Sequence, residues 1–179
     1  MDTTLIENWN NKVHKLDEVY ILGDFCWLKE DKWIEYLSQL KGVKTLIKGN
    51  HDLKQMSTEC KKLFVDIKDY KEINDNGRKV ILSHYPIMCY KGSYNPKNYM
   101  LFGHVHNHTQ ESYLVEKWIE DIKHNCTERF HNRGNLYNVG CMMPWMHYTP
   151  QTLDEIIVNY NNVKNNVEHR KEKSNGTED

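Results

Sequence analysis

Four short clusters of metal-ligating residue types punctuate this chain: Gly23-Asp24, Gly49-Asn50-His51-Asp52, Ser83-His84-Tyr85-Pro86 and Gly103-His104-Val105-His106. Each follows a run of strand-forming residues. In an open α/β sheet the strand ends converge on one edge, where loops present side chains to a common crevice. One shared site is the economical reading. Carboxylate and amide oxygens with imidazole nitrogens make a mixed donor set, which suits Mn, Fe, Zn, Co or Ni better than the all-oxygen shells of Ca or Mg. Taken singly the clusters say little, since Gly-Asp after a strand is usually a turn or a helix cap. His104 and His106 are harder to dismiss, because alternate residues of an extended segment point the same way and offer two imidazoles to one face.

The elements that must position these residues alternate along the chain. Apolar residues at helical spacing predict a helix over residues 4–10, and the run Glu18-Val19-Tyr20-Ile21-Leu22 predicts a strand ending at Gly23. Trp33, Leu37 and Leu40 mark the buried face of a helix over 29–40, followed by a strand at 44–47. Residues 57–62 suit a helix, and 63–73 is rich in β-branched and aromatic residues. Asn76-Gly77 is a strong hairpin turn before the strand at 79–82. A loop over 90–99, a strand at 99–102, a helix at 112–124, an irregular segment to Arg133, a strand at 135–139 and a helix at 152–160 complete the order. Beyond residue 165 almost every side chain is polar or charged, so a disordered tail is expected over 165–179 and one domain over 1–164.

Charge narrows the function classes. Lys and Arg total 24 against 25 Asp and Glu, so no basic excess points to nucleic acid or an anionic membrane. No apolar run approaches the roughly 20 residues that span a bilayer, and the opening residues lack the order of a signal peptide, so a cytoplasmic location is expected. Five cysteines without a C-x-x-C pair suit reduced thiols better than a disulfide framework or a zinc knuckle.

In their order, the clusters resemble the signature of the calcineurin-like metallophosphoesterases: D-x-H, then G-D, G-N-H-D/E, a lone H and G-H-x-H. Tyr20-Ile21-Leu22-Gly23-Asp24-Phe25 is similar to the small bacterial and phage members, and Asn138-Val139-Gly140 extends the likeness toward the end. The resemblance implies a layered α/β/β/α sandwich with mixed sheets. It also implies two divalent ions, Mn first among the candidates, with Asp24 bridging them. Asn50, His84 and His104 would complete one ion's ligands and His106 would serve the other. His51 would face the phosphate as a general acid or hydrogen-bond donor, with Asp52 orienting it. The implied activity is hydrolysis of a small phosphomonoester or phosphodiester by a hydroxide bridging the two ions.

The chain departs from that pattern in its first block, for no Asp-x-His occurs anywhere in it. The resemblance then predicts a sandwich lacking its first strand, a weakened first metal site and an exposed sheet edge through which copies could associate. It also keeps a second reading alive, a catalytically impaired metal-binding fragment or regulatory module. Phe25-Cys26-Trp27 replaces the acidic and Arg-containing continuation of the protein phosphatases, which disfavours that activity. The loop over 88–98, with Tyr90, Lys91, Tyr94 and Lys97, is expected to frame a small phosphoester by stacking and charge.

Overall fold

The computed structural model describes residues 2–125 and 134–175. Along them run α1 (Asp2–Lys12), β1 (Glu18–Ile21), α2 (Glu30–Gln39), β2 (Val43–Ile47), α3 (Thr58–Lys61) and β3 (Asp66–Lys68). There follow β4 (Tyr70–Asp75), β5 (Arg78–Ser83), β6 (Asn98–Phe102), α4 (Gln110–Asn125), β7 (Leu136–Asn138) and α5 (Leu153–Asn175). The strands make two sheets. One is parallel in the order β1-β2-β3; the other, β4-β5-β6-β7, is mixed, with β4 antiparallel to β5 and the rest parallel.

Alternation along the strands builds three apolar layers. Leu22 and Ile47 of the parallel sheet meet Val80, Leu82, Leu101 and Tyr137 of the mixed sheet in a core between the two. On the opposite face of β2, Leu46 packs with Trp33 and Leu37 of α2 and Cys60 of α3. Ile81, Met100, Phe102 and Leu136 turn to the outer face of the mixed sheet, where Val115 and Ile119 of α4 cover them. Strands buried on both faces must be apolar at consecutive positions, which is why Leu46-Ile47, Val80-Ile81-Leu82 and Met100-Leu101-Phe102 read as unbroken runs. The result is an α/β/β/α sandwich of one parallel and one mixed sheet.

The structure refines the sequence reading at several points. The strand-like run over 63–73 is two strands in different sheets: Ile67 pairs in register with Leu46 of β2, whereas Tyr70 already pairs with Ser83 of β5. The chain changes sheets at Asp69, a step that a period-two pattern cannot reveal because alternation is the same on either side of it. Asn76 and Gly77 have φ of 51° and 84°, the left-handed pair that a two-residue hairpin needs, and Asn74 Oδ1 accepts from Gly77 N at 2.9 Å. Helix α5 runs on through the polar segment to Asn175, and residues 176–179 of the expected tail lie outside the described residues. Leu153, Ile156 and Tyr160 anchor that helix in the core. Once nucleated, a helix extends through Lys, Glu and Arg at little cost. The irregular segment expected before Arg133 falls on residues 126–133, outside the described residues. No helix is long and apolar enough to cross a membrane, among the described residues.

Candidate metal centre

All four clusters lie at the carboxyl ends of parallel-paired strands. Asp24 follows β1, Asn50 follows β2, His84 follows β5 and His104 follows β6. Close approach of these loops depends on glycine. Gly23, at φ 79°, sits so near its neighbours that an added Cβ would stand 2.5 Å from both Gly49 N and His84 Nδ1. A Cβ on Gly49 would collide with the backbone N of Asp24 at 2.6 Å. Asp24 itself holds the left-handed φ of 52°, an uncommon conformation for a residue with a side chain and one that collects at functional sites.

His84 is the centre of the constellation. Its side chain is 2% exposed, and Nδ1 stands 2.7 Å from the Leu22 carbonyl oxygen. A carbonyl only accepts, so Nδ1 carries the hydrogen and the lone pair of the neutral ring is on Nε2. That lone pair faces two more acceptors, Asn50 Oδ1 at 2.9 Å and Asp24 Oδ2 at 3.4 Å. Oxygen and imidazole donors turned toward one another at these distances form an arrangement that a shared cation would hold together. The spacing suits an ion: two ligands about 2.1 Å from one metal stand about 3.0 Å apart at a right angle and about 3.4 Å apart at the tetrahedral angle. His104 completes the group, since single donor atoms of Asp24, His84 and His104 all lie within 4.8 Å of one another. The Nδ1 contact to a backbone carbonyl is the kind of outer partner that fixes ring orientation in metal sites.

The other expected residues lie around this core in distinct ways. His51 is exposed; its backbone N donates to Asp24 Oδ1 at 2.9 Å, and its ring stacks on Trp27 with centroids 4.3 Å apart. His106 is exposed and stands outside the three-residue group, and its carbonyl accepts from Thr109 Oγ1. Asp52 is 7% exposed. Its Oδ1 accepts from Phe25 N at 2.9 Å and its Oδ2 from Gly49 N at 2.8 Å, so both oxygens tie the loop after β1 to the loop after β2. In the loop over 88–98, Tyr90 is buried with its hydroxyl donating to the Asn98 carbonyl, and Lys91 pairs with Glu72 of β4. Those two side chains hold the loop in place.

Three residues near the site escape a reading of the sequence. Asn138, at the end of β7, donates through Nδ2 to the Val105 carbonyl and accepts from Gly140 N through Oδ1, while its own carbonyl accepts from Trp145 Nε1. It thereby braces the loop that carries His104 and His106. Glu111, in the first turn of α4, sets a carboxylate oxygen 3.9 Å from His104 Nε2. Trp27 reaches the site only through its stack on His51, and nothing in its sequence neighbourhood signals that contact.

The model of the calcineurin-like phosphoesterase superfamily domain matches residues 2–153. The chain belongs to this superfamily. Calcineurin-like phosphoesterases bind divalent metals, and the donor set of Asp24, His84 and His104 is chemically suited to one. This phosphoesterase-family chain is 37% identical over 114 residues to an uncharacterized protein, MJ1445, of Methanocaldococcus jannaschii; the alignment takes 62% of the chain and 57% of that relative. The chain thus spans little more than half the length of the curated relative it matches. Among solved structures it is similar to a protein of unknown function, AQ665, from Aquifex aeolicus. That likeness has a TM-score of 0.59 and 26% sequence identity, and covers 87% of this chain and 82% of the other.

Proposed function

We propose that this chain is a metal-dependent hydrolase of small phosphomonoesters or phosphodiesters. The observation that carries the reading is the buried imidazole of His84, whose Nε2 faces the oxygens of Asp24 and Asn50 with His104 alongside. These four residues would hold one divalent ion, with Mn the first candidate, and Asp24 with His106 would contribute to a second. Bound there, the ions would neutralise phosphoryl oxygens and lower the pKa of water. Asn50 donates through a neutral amide oxygen and so adds no further negative charge beside an anionic substrate. His51, one residue on and held to Asp24 through its backbone, would donate to the leaving oxygen or to the phosphoryl group. Asp52 would keep the Asp24 and Asn50 loops in register.

A second reading, a metal-binding module without turnover, is favoured by one feature: His106 stands apart from the three-residue group, leaving Asp24 as the better placed of the second ion's two ligands. Metal content and turnover separate the two. Metal-stripped protein titrated with Mn is expected to hydrolyse p-nitrophenyl phosphate or its bis-ester, with His104→Ala abolishing turnover. Tight binding of a single ion with no turnover would establish the second reading instead.

A further inference from the structure

Trp27 is 70% exposed, so most of a large apolar ring is open to a ligand beside the site. One face of the indole lies against the His51 ring at a centroid distance of 4.3 Å and an interplanar angle of 21°. The backbone N of that same histidine donates to Asp24 Oδ1, which fixes the stack to the edge of the metal centre. On another flank Tyr85, 48% exposed, tilts over the ring of His104 at 4.5 Å. Two open aromatic rings therefore border the centre, each resting on one of its histidines.

We propose that Trp27 is a stacking platform for a planar ring on the leaving group, so that the substrates are nucleoside or aryl phosphoesters and not sugar or alkyl phosphates. The inference rests on the phosphoesterase reading above. His51 is the imidazole assigned there to the leaving oxygen, and a base or aryl ring a few bonds beyond that oxygen falls within reach of the indole stacked on His51. Stacking on an open indole accepts any base, because every base has a π-face. The group thus selects for a ring without selecting which ring.

The test compares AMP with ribose 5-phosphate, which share phosphate and sugar and differ by the base alone. Both are titrated into the Mn-loaded full chain by calorimetry, with tryptophan fluorescence followed in parallel. AMP is expected to bind roughly tenfold more tightly or better and to quench indole emission. Trp27→Ala is expected to bring the two ligands to parity while leaving ribose 5-phosphate affinity within about twofold, and Trp27→Phe to keep part of the preference. Equal binding by the unaltered chain, or a preference that survives Trp27→Ala, overturns the proposal. So does an equal loss for both ligands in Trp27→Ala, which would mean that the indole only holds His51 in place. Mn-dependent turnover of p-nitrophenyl esters without base preference sinks this inference alone, whereas absence of turnover together with absence of phosphate binding removes the reading beneath it as well.

Discussion

Replacing Asp52 by alanine separates two roles that this residue could have beside His51. Its carboxylate is nearly buried and accepts one hydrogen bond from Phe25 N at 2.9 Å and another from Gly49 N at 2.8 Å. Hydrogen bonds to a charged acceptor contribute about 1.5–3 kcal/mol each, and removing the acceptor leaves both amides without it. The two losses together come to about 3–6 kcal/mol, a large share of the roughly 5–15 kcal/mol by which domains are stable. In urea, with a slope of about 2 kcal/mol/M, the midpoint of the metal-stripped protein should drop by roughly 2 M. Mn affinity should fall as well, because Phe25 and Gly49 flank the proposed ligands Asp24 and Asn50. Asp52→Asn, which retains one acceptor oxygen, should land between. An Asp52→Ala protein that unfolds within about 1 kcal/mol of the parent and binds Mn equally well would refute the bracing role.

Two further outcomes follow from the packing. Burial between the sheets, reinforced by the neighbouring Tyr99, pushes the Tyr137 hydroxyl up to about 12 from 10.0. Because the folded value is the higher, its contribution is complete below pH 10 and is lost as pH rises toward 12, amounting to about 3 kcal/mol at 1.36 kcal/mol per unit; the difference in tyrosinate absorbance between the parent and Tyr137→Phe should therefore grow together with unfolding in that window, and a difference that develops near pH 10 in a still-folded protein would contradict it. Gly49→Ala places a methyl against the backbone N of Asp24, so it should cost about 1–3 kcal/mol in urea unfolding and weaken Mn binding measured by calorimetry, while an unchanged affinity would show that the loops can part without harm.

Much of this architecture was legible in the residues, and the reasons for the exceptions are physical. The strand-forming runs at 44–47, 79–82 and 99–102 announced strands, and the glycines before Asp24, Asn50 and His104 announced where those strands give way to loops. Asp24, His84 and His104 were legible as candidate ligands because each follows a strand-forming run, and the structure brings the three together. The purpose of Asp52 was not, since a carboxylate beside a histidine in sequence looks like its orienting partner, whereas its bonds run to backbone amides, one of them 27 residues away. Asn138 and Trp27 act through contacts that no local pattern encodes. The length of α5 was not legible, because composition measures what a segment can bury and not whether a packed helix upstream has already met the cost of nucleation.

The change of sheets at Asp69 has a mechanical corollary. It leaves Asp24 and Asn50 on loops of the parallel sheet and His84 and His104 on loops of the mixed sheet, so an ion bound among them would be a rivet through two layers that are otherwise held face to face by the apolar core between them. Sliding or parting of the layers would have to break coordination, and coordination in turn would demand that the layers be closed. A ligand that binds only the closed sandwich stabilises it by RT ln(1 + [L]/Kd), so with metal bound there the protein's resistance to opening would rise with the logarithm of the free metal above Kd.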